Sequence, residues 1–298
     1  MTARQGGVYT TLSRRGLRHD IPPMRLYHKA KQLGIWDPRS IDLTQDRVDW
    51  QQFPQEQKEG LRRLIVAFQA GEEAVTLDLL PLILTIAREG RLEEEMFLTT
   101  FLWEEAKHTE FFRRFLDEVM QEQGEDLHQY RTLSSGGRDL FSEDLSEVMN
   151  ALLTDSSPAA QVRASVLYNM YIEGVLAEAG YYRFSHFLDR ANVMPGLKQG
   201  IGYIKRDESR HIAYGVFLIS RLVAQDPTLW PQVEEQMNAL YARSRASAAA
   251  GPQTEEEQYF AKITKMQFDK RLASIERARR KTVEQVYQMP ESEETESA

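Results

Sequence analysis

From about residue 55 onward the apolar positions recur every three or four residues, and strict alternation is absent. That period predicts amphipathic helices rather than strands. Long helices are expected at roughly 55–88, 91–122, 158–189 and 196–224, with shorter ones near 138–153, 229–249 and 254–286. The breaks fall at Gly90, Gly124, the Gly136-Gly137 pair, Pro158, Pro195 and Pro252. Upstream, residues 21–53 are punctuated by Pro22, Pro23, Pro38 and Pro54 and read as an extended arm. Residues 1–20 read as a mobile N-terminal segment and 289–298 as a disordered acidic tail. No linker divides the stretch between, so 21–288 is expected to be one all-α domain, an antiparallel helical bundle.

The apolar stripes carry an anomaly. In the first long helix the stripe runs Leu61, Ile65, Phe68, Glu72, Val75, Leu79; in the second, Leu98, Phe101, Glu105, His108, Phe112, Phe115. The third runs Val162, Val166, Asn169, Glu173, Leu176, and the fourth Ile201, Ile204, Glu208, His211, Leu218. Spacings of three and four keep each set on one helix face. Each helix thus puts a carboxylate in the middle of the face it should bury, and an uncompensated buried carboxylate is very costly. Two divalent metal ions would neutralise the four carboxylates, with neutral His108 and His211 completing the coordination. One Glu from each of two helices plus Glu-x-x-His from each of two others is the known pattern of bundle-core dimetal sites.

A lone Glu-x-x-His is a weak signal. Glu125 and His128 share the spacing but follow Gly124 in polar surroundings, and read as a chance copy. The weight lies in repetition: Glu72 to Glu105 spans 33 residues and Glu173 to Glu208 spans 35, so one helix-pair motif is used twice. A buried salt-bridge network with Lys107, Arg206 and Arg210 is the competing explanation. His19, His28 and His186 lack a partner at ligand spacing and read as surface or packing residues.

Composition narrows the chemistry. The chain has no cysteine, which removes thiolate sites, disulfides and cysteine nucleophiles and leaves carboxylates and imidazoles to hold any metal. A net charge of −8 argues against a nucleic-acid partner. No apolar run reaches the length of a membrane span, and the basic N-terminus (Arg4, Arg14, Arg15, Arg18) lacks the apolar stretch of a signal peptide. A cytoplasmic protein is expected.

The stretches AGEEAVTLDLLP, FLTTFLWEEAKH, LYNMYIEGVLAEAGYY and RDESRH resemble the ligand-binding oxidases related to the ribonucleotide reductase small subunit. The segment IWDPRSIDLTQDRVDW is similar to the one both groups carry before their first metal helix. The resemblance runs from about Leu26 to Leu222. It implies a ferritin-like helical bundle of the reductase small-subunit type with extra helices, a homodimer, and manganese with iron or two irons. It also implies dioxygen activation and a bound long-chain fatty acid. By position, Glu72, Glu105 and His108 would hold one metal and Glu173, Glu208 and His211 the other, with Glu105 bridging. Val75 and Tyr168 match the pair that becomes joined by an ether bond. Trp36 and Asp207 match an electron-transfer relay, although packing and hydrogen bonding account for them equally.

The function expected is a two-electron oxidase using dioxygen at the dimetal centre. A radical-generating reductase subunit remains open, with Phe112 standing where those proteins usually carry the radical tyrosine. So does a non-catalytic metal or lipid carrier. Ala70, Gly71, Gly174, Ala177 and Gly180 would leave an apolar tunnel beside the metals or simply allow close helix packing.

Overall fold

The computed structural model describes residues 9–122, 127–130, 139–249, 251 and 254–290. Helices account for nearly all regular structure, with no strand among the described residues, as the apolar period predicts.

The stretch expected as an extended arm is instead largely helical. Helix α1 spans Pro22–Leu33 and α2 spans Thr44–Gln52. Proline was read there as a breaker, but Pro22 and Pro23 occupy the first helical turn, where a missing N–H costs nothing and the fixed φ suits the helix. Met24, Leu26 and Ala30 are buried and dock α1 against the bundle. Helix α2 also supports the long helix that carries Glu208 and His211. Asp46 accepts the Gly196 and Leu197 amides at 2.9 and 2.6 Å and so closes the N-terminus of the long helix that follows Pro195.

Helices α3 (Gln55–Asp78) and α4 (Leu80–Arg88) replace the single helix expected over 55–88. Pro81 lacks the N–H an interior turn needs and starts the second helix. Helix α5 spans Leu92–Phe115 and runs into a π-helical turn, Leu116–Met120, that ends at left-handed Gln121. A second π-helical stretch, Leu140–Leu145, leads into α6 (Ser146–Ala151). Helix α7 (Pro158–Ser165) starts on the Ser157 hydroxyl, continues as a π-helical stretch over Val166–Ala177, and resumes as α8 (Glu178–Ala191). Then come α9 (Pro195–Gln225), α10 (Trp230–Ala249), α11 (Glu255–Ala278) and α12 (Val283–Tyr287).

Helix α3 packs on α5, and α9 packs on the Val166–Ala177 stretch and α8; α11 lies across that stretch, α8 and α9. The apolar core falls into two blocks. One holds Val75, Phe97, Phe101, Tyr168, Val175 and Ile212; the other holds Ile65, Phe111, Phe112, Tyr181, Phe184 and Ile204. Each long helix passes from one block to the other, and the changeover falls at or beside its buried carboxylate.

At the N-terminus, Arg15 pairs with Glu93 at 3.1 Å and the Arg18 amide donates to it, so this stretch is tied to α5. At the other end Met289 is buried, and packing therefore reaches past 288. Residues 1–8 and 291–298 lie outside the described residues, as do Gly124, Glu125, Gly136, Gly137 and Pro252. No described helix is long and apolar enough to cross a membrane.

Candidate metal centre

Glu72 from α3, Glu105 and His108 from α5, Glu173 from the π-helical stretch, and Glu208 and His211 from α9 converge between the two apolar blocks. All six are buried. They form two overlapping groups, Glu72–Glu105–His108–Glu208 and Glu105–Glu173–Glu208–His211, with the ligand atoms of each group within 4.8 Å of one another. His108 Nδ1 lies 3.4 Å from oxygens of Glu72, Glu105 and Glu208. His211 Nδ1 lies 3.1 Å from Glu105, 3.5 Å from Glu208 and 3.9 Å from Glu173. Sharing was expected of Glu105 alone; Glu208 belongs to both groups as well.

Both Glu105 oxygens, Glu173 Oε1, Glu208 Oε2 and both imidazole Nδ1 atoms are buried without a hydrogen-bond partner. Buried polar atoms are normally paired, so a cluster of unpaired donors and acceptors facing one point needs an explanation. Oxygen and imidazole nitrogen are suitable ligands for manganese, iron or zinc, and two divalent ions balance four carboxylates. The residues present therefore fit a dimetal group.

Proton affinities show what the same atoms do without metal. Burial pushes Glu72 up to about 8 against the pull of His108, and burial followed by the charge of Glu208 raises Glu173 well above the usual carboxylate range. Burial works against charge on Glu105 too, but His211 and His108 hold it below its ordinary value. Burial likewise opposes charge on both imidazoles, yet the surrounding carboxylates raise them far above theirs. Without metal, proton affinity is therefore raised on Glu72, Glu173 and both imidazoles.

The outer face of each imidazole meets an acid contributed by the opposite helix. His108 Nε2 lies 3.3 Å from Asp207 Oδ2, and His211 Nε2 lies 2.9 Å from Glu104 Oε2. Such contacts fix the tautomer so that Nδ1 keeps its lone pair for a metal. Asp207 also accepts from Trp36 Nε1 at 2.7 Å, from Lys107 at 3.0 Å and from Arg210, and its carboxylate is held low despite burial by His108 and these cations. The salt-bridge network weighed as a rival explanation therefore exists, but as a surround to the site rather than in place of it. Arg206 instead donates to the Leu33 carbonyl.

Val75 and Tyr168 are brought together: the buried Tyr168 hydroxyl donates to the Val75 carbonyl at 3.3 Å. Beside Val75 lies a cavity of about 330 Å³ that reaches Glu72, Glu105, Glu173 and Glu208 and is walled by Leu64, Phe68, Ile172 and Leu176. Gly71, Ala177 and Gly180 line it as the tunnel idea requires. Ala70 lines a different cavity, and Gly174 faces Arg271 because a Cβ there would lie 2.9 Å from its guanidinium nitrogen.

The exposed His19 and the half-buried His28 stack with nitrogens 3.1 Å apart, and His186 meets Tyr259 and Phe260. His128 is exposed. Two neighbours of the site, Glu104 and Tyr181, escaped the sequence reading, and a third, Asn169, was placed on its stripe without a role. Glu104 was missed although an acid directly precedes both motifs, Glu104-Glu105-x-x-His108 and Asp207-Glu208-x-x-His211. Tyr181, whose hydroxyl donates to Glu208 at 3.2 Å, and Asn169, whose amide donates to Glu173 at 3.1 Å, carry no signal beyond helical phase.

Comparison with known proteins agrees with a helical fold able to hold two metals. The sequence model of the family described as "Ribonucleotide reductase, small chain" matches residues 23–246. Among solved structures, the R2-like ligand-binding oxidase from Sulfolobus acidocaldarius is 37% identical, with a TM-score of 0.83 over 94% of this chain and 98% of that one. An R2-like ligand-binding oxidase variant with anaerobically reconstituted Mn/Fe cofactor is 36% identical, with a TM-score of 0.82 over 89% of this chain and 97% of that one. Another variant, with a non-activated Mn/Mn cofactor, gives the same identity, TM-score and coverage. The ferritin-like helical fold of the reductase small-subunit type is shared throughout.

Proposed function

The chain belongs to the ribonucleotide reductase small-chain family, and from that premise we propose that it is a dimetal-carboxylate oxidase of the R2-like ligand-binding kind. One observation carries the reading: Glu105, Glu173 and Glu208, each with a buried oxygen that lacks a hydrogen-bond partner, line an apolar cavity. Glu72, Glu105, His108 and Glu208 would hold one ion, and Glu105, Glu173, Glu208 and His211 the other. Manganese with iron is the favoured pair and two irons the alternative. When bound, the metals supply redox chemistry with dioxygen for two-electron oxidation.

The residues around that group have separate tasks. Asp207 and Glu104 keep each imidazole aimed inward. The apolar walls would seat the chain of a long fatty acid beside the carboxylates. Tyr168 and Val75 are the reacting pair: a C–O bond joins the Val75 side chain to the Tyr168 oxygen as one C–H and one O–H bond are lost. Two protons and two electrons leave, with dioxygen as acceptor. Phe112, packed between Phe68 and Phe184, offers no hydroxyl for a stored tyrosyl radical, which favours this reading over a radical-generating subunit. The absence of cysteine suits a reducing cytoplasm, and the exposed Leu77, Leu80 and Leu84 offer an apolar face for a homodimer.

The test is anaerobic loading with Mn(II) and Fe(II), then air, with oxygen uptake, peptide mapping and organic extraction in parallel. Oxygen uptake, a joined Val75–Tyr168 peptide lighter by two hydrogens, and a released fatty acid are expected; Tyr168→Phe should keep the peptides separate. Filled metal sites with no oxygen uptake and unjoined peptides would leave a carrier as the better description.

A further inference from the structure

Helix α11 lies beyond residues 23–246, the part that the family's sequence model matches, yet it reaches the ligand helix. Arg271 is fully buried, and its Nε donates to the Gly174 carbonyl at 2.9 Å, one residue after Glu173. Its NH2 donates to Gln267, one turn back, at 3.2 Å. The local sequence is shaped to this contact. A Cβ at position 174 would lie 2.9–3.1 Å from three atoms of the Arg271 side chain, so Arg271 would have to shift to admit one.

The place of this contact matters. Glu173 sits on the one ligand-bearing segment that is π-helical, Val166–Ala177; the other three ligand helices are α-helical around their ligands. A π-helical turn is uncommon, collects at functional sites and persists only where its surroundings hold it. Burying a guanidinium is costly, and burial pulls Arg271 down to about 10, with Glu178 the chief opposing charge. Glu178 is itself buried on the turn that follows the π-helical stretch. Arg271 therefore grips the wide turn just after Glu173 and feels the charge of the residue that ends it.

We infer that Arg271 is a positioning residue: its side chain, lying on Gly174 and bonded to that carbonyl, holds the π-helical turn that aims Glu173 at the His211 side of the site. This rests on the reading of Glu173 as a ligand. The His108 side, whose ligands come from α-helical segments, does not depend on it.

Mn(II) alone, titrated anaerobically into the metal-free full chain, tests the idea alongside amide hydrogen exchange. The wild type should take two ions. Arg271→Met should keep the first and bind the second roughly tenfold or more weakly, the scale seen when a residue supporting a ligand is lost. Arg271→Lys should recover part of the loss. Exchange should quicken in residues 166–177 of Arg271→Met while α5 is unchanged. Folded Arg271→Met with two ions at wild-type affinity and wild-type exchange overturns the assignment. Should that variant not fold, Gly174→Ala displaces the guanidinium while keeping its charge and is expected to lose the second ion selectively; equal weakening of both ions overturns it. A wild-type chain that takes no Mn(II), or a Glu173→Ala variant that binds like wild type, would instead remove the ligand reading, and the exchange comparison still decides what Arg271 holds.

Discussion

The His108 and His211 halves of the site begin from the same sequence motif and end in different surroundings. Around His108, the outer acid Asp207 takes donors from Trp36, Lys107 and Arg210, and the Trp36 ring lies nearly parallel to the imidazole at 6.2 Å. Around His211, the outer acid Glu104 takes Arg210, while Phe101 stacks on the imidazole at 3.6 Å and Glu173 comes from a π-helical turn. One half is framed by a charged network and α-helical segments, the other by a closely stacked aromatic ring and a π-helical turn. On the proposed ligand assignment, a repeated motif sets which residue types face the site without setting their environment, and the two positions should differ in stiffness and in metal preference.

The strongest way to break the comparison is to remove what the halves share. Glu105 and Glu208 belong to both ligand groups, so Glu105→Ala should strip most of both ions, measured by elemental analysis after anaerobic loading. Glu72→Ala and Glu173→Ala should each lose mainly one. Retention of one ion at full affinity in Glu105→Ala would sink the shared-ligand geometry.

A smaller effect comes from pH. Without metal, Glu72 titrates near 8 and both imidazoles well above their usual range, so bound metal displaces protons. Affinity should rise by about tenfold per pH unit for each proton displaced, between about pH 6 and pH 8. Stability of the metal-free protein should move the opposite way. A group with a raised folded-state pKa stabilises fully below its unfolded value, and that contribution fades as pH climbs through the folded one. Glu105 and Asp207, held low, contribute uniformly across this window because their stabilisation is lost only in acid. Thermal melts of metal-free and loaded protein at both ends of the window check the signs; parallel trends would contradict the proton-for-metal exchange.

The finest distinction lies in the outer acids. Asp207→Asn and Glu104→Gln should each weaken one ion by roughly tenfold, the lower end for a partner of a ligating histidine. Asp207→Asn should act on the His108 half and also unsettle Lys107 and Arg210, lowering the melting temperature more than Glu104→Gln does. Identical losses at both positions would mean that the two halves are energetically alike.

Most of the candidate site was legible in the sequence because burying four carboxylates on apolar stripes is so costly that it calls for a compensating charge, which a shared cation would supply. Glu72, Glu105, His108, Glu173, Glu208 and His211 announce themselves by helical phase, and they do converge. Helix type was less legible. Pro22 and Pro23 mark a break in a one-dimensional reading but start a helix when Met24 and Leu26 have a core to enter. The Val166–Ala177 stretch has an apolar period that suits either an α- or a π-helix, so nothing local distinguishes them.

The chain by itself determined what each residue could do: which helix faces are apolar, which carboxylates interrupt them, and which imidazoles accompany them. Those are short-range facts of spacing and side-chain chemistry. The fold alone decided which acid of one helix meets which histidine of another, as in Asp207 with His108 and Glu104 with His211. It also decided that Glu208 is shared, that Gly174 yields its space to Arg271, and that the cavity opens beside Val75. These depend on how helices far apart in sequence lie against each other, which burial and packing settle jointly and no single segment encodes.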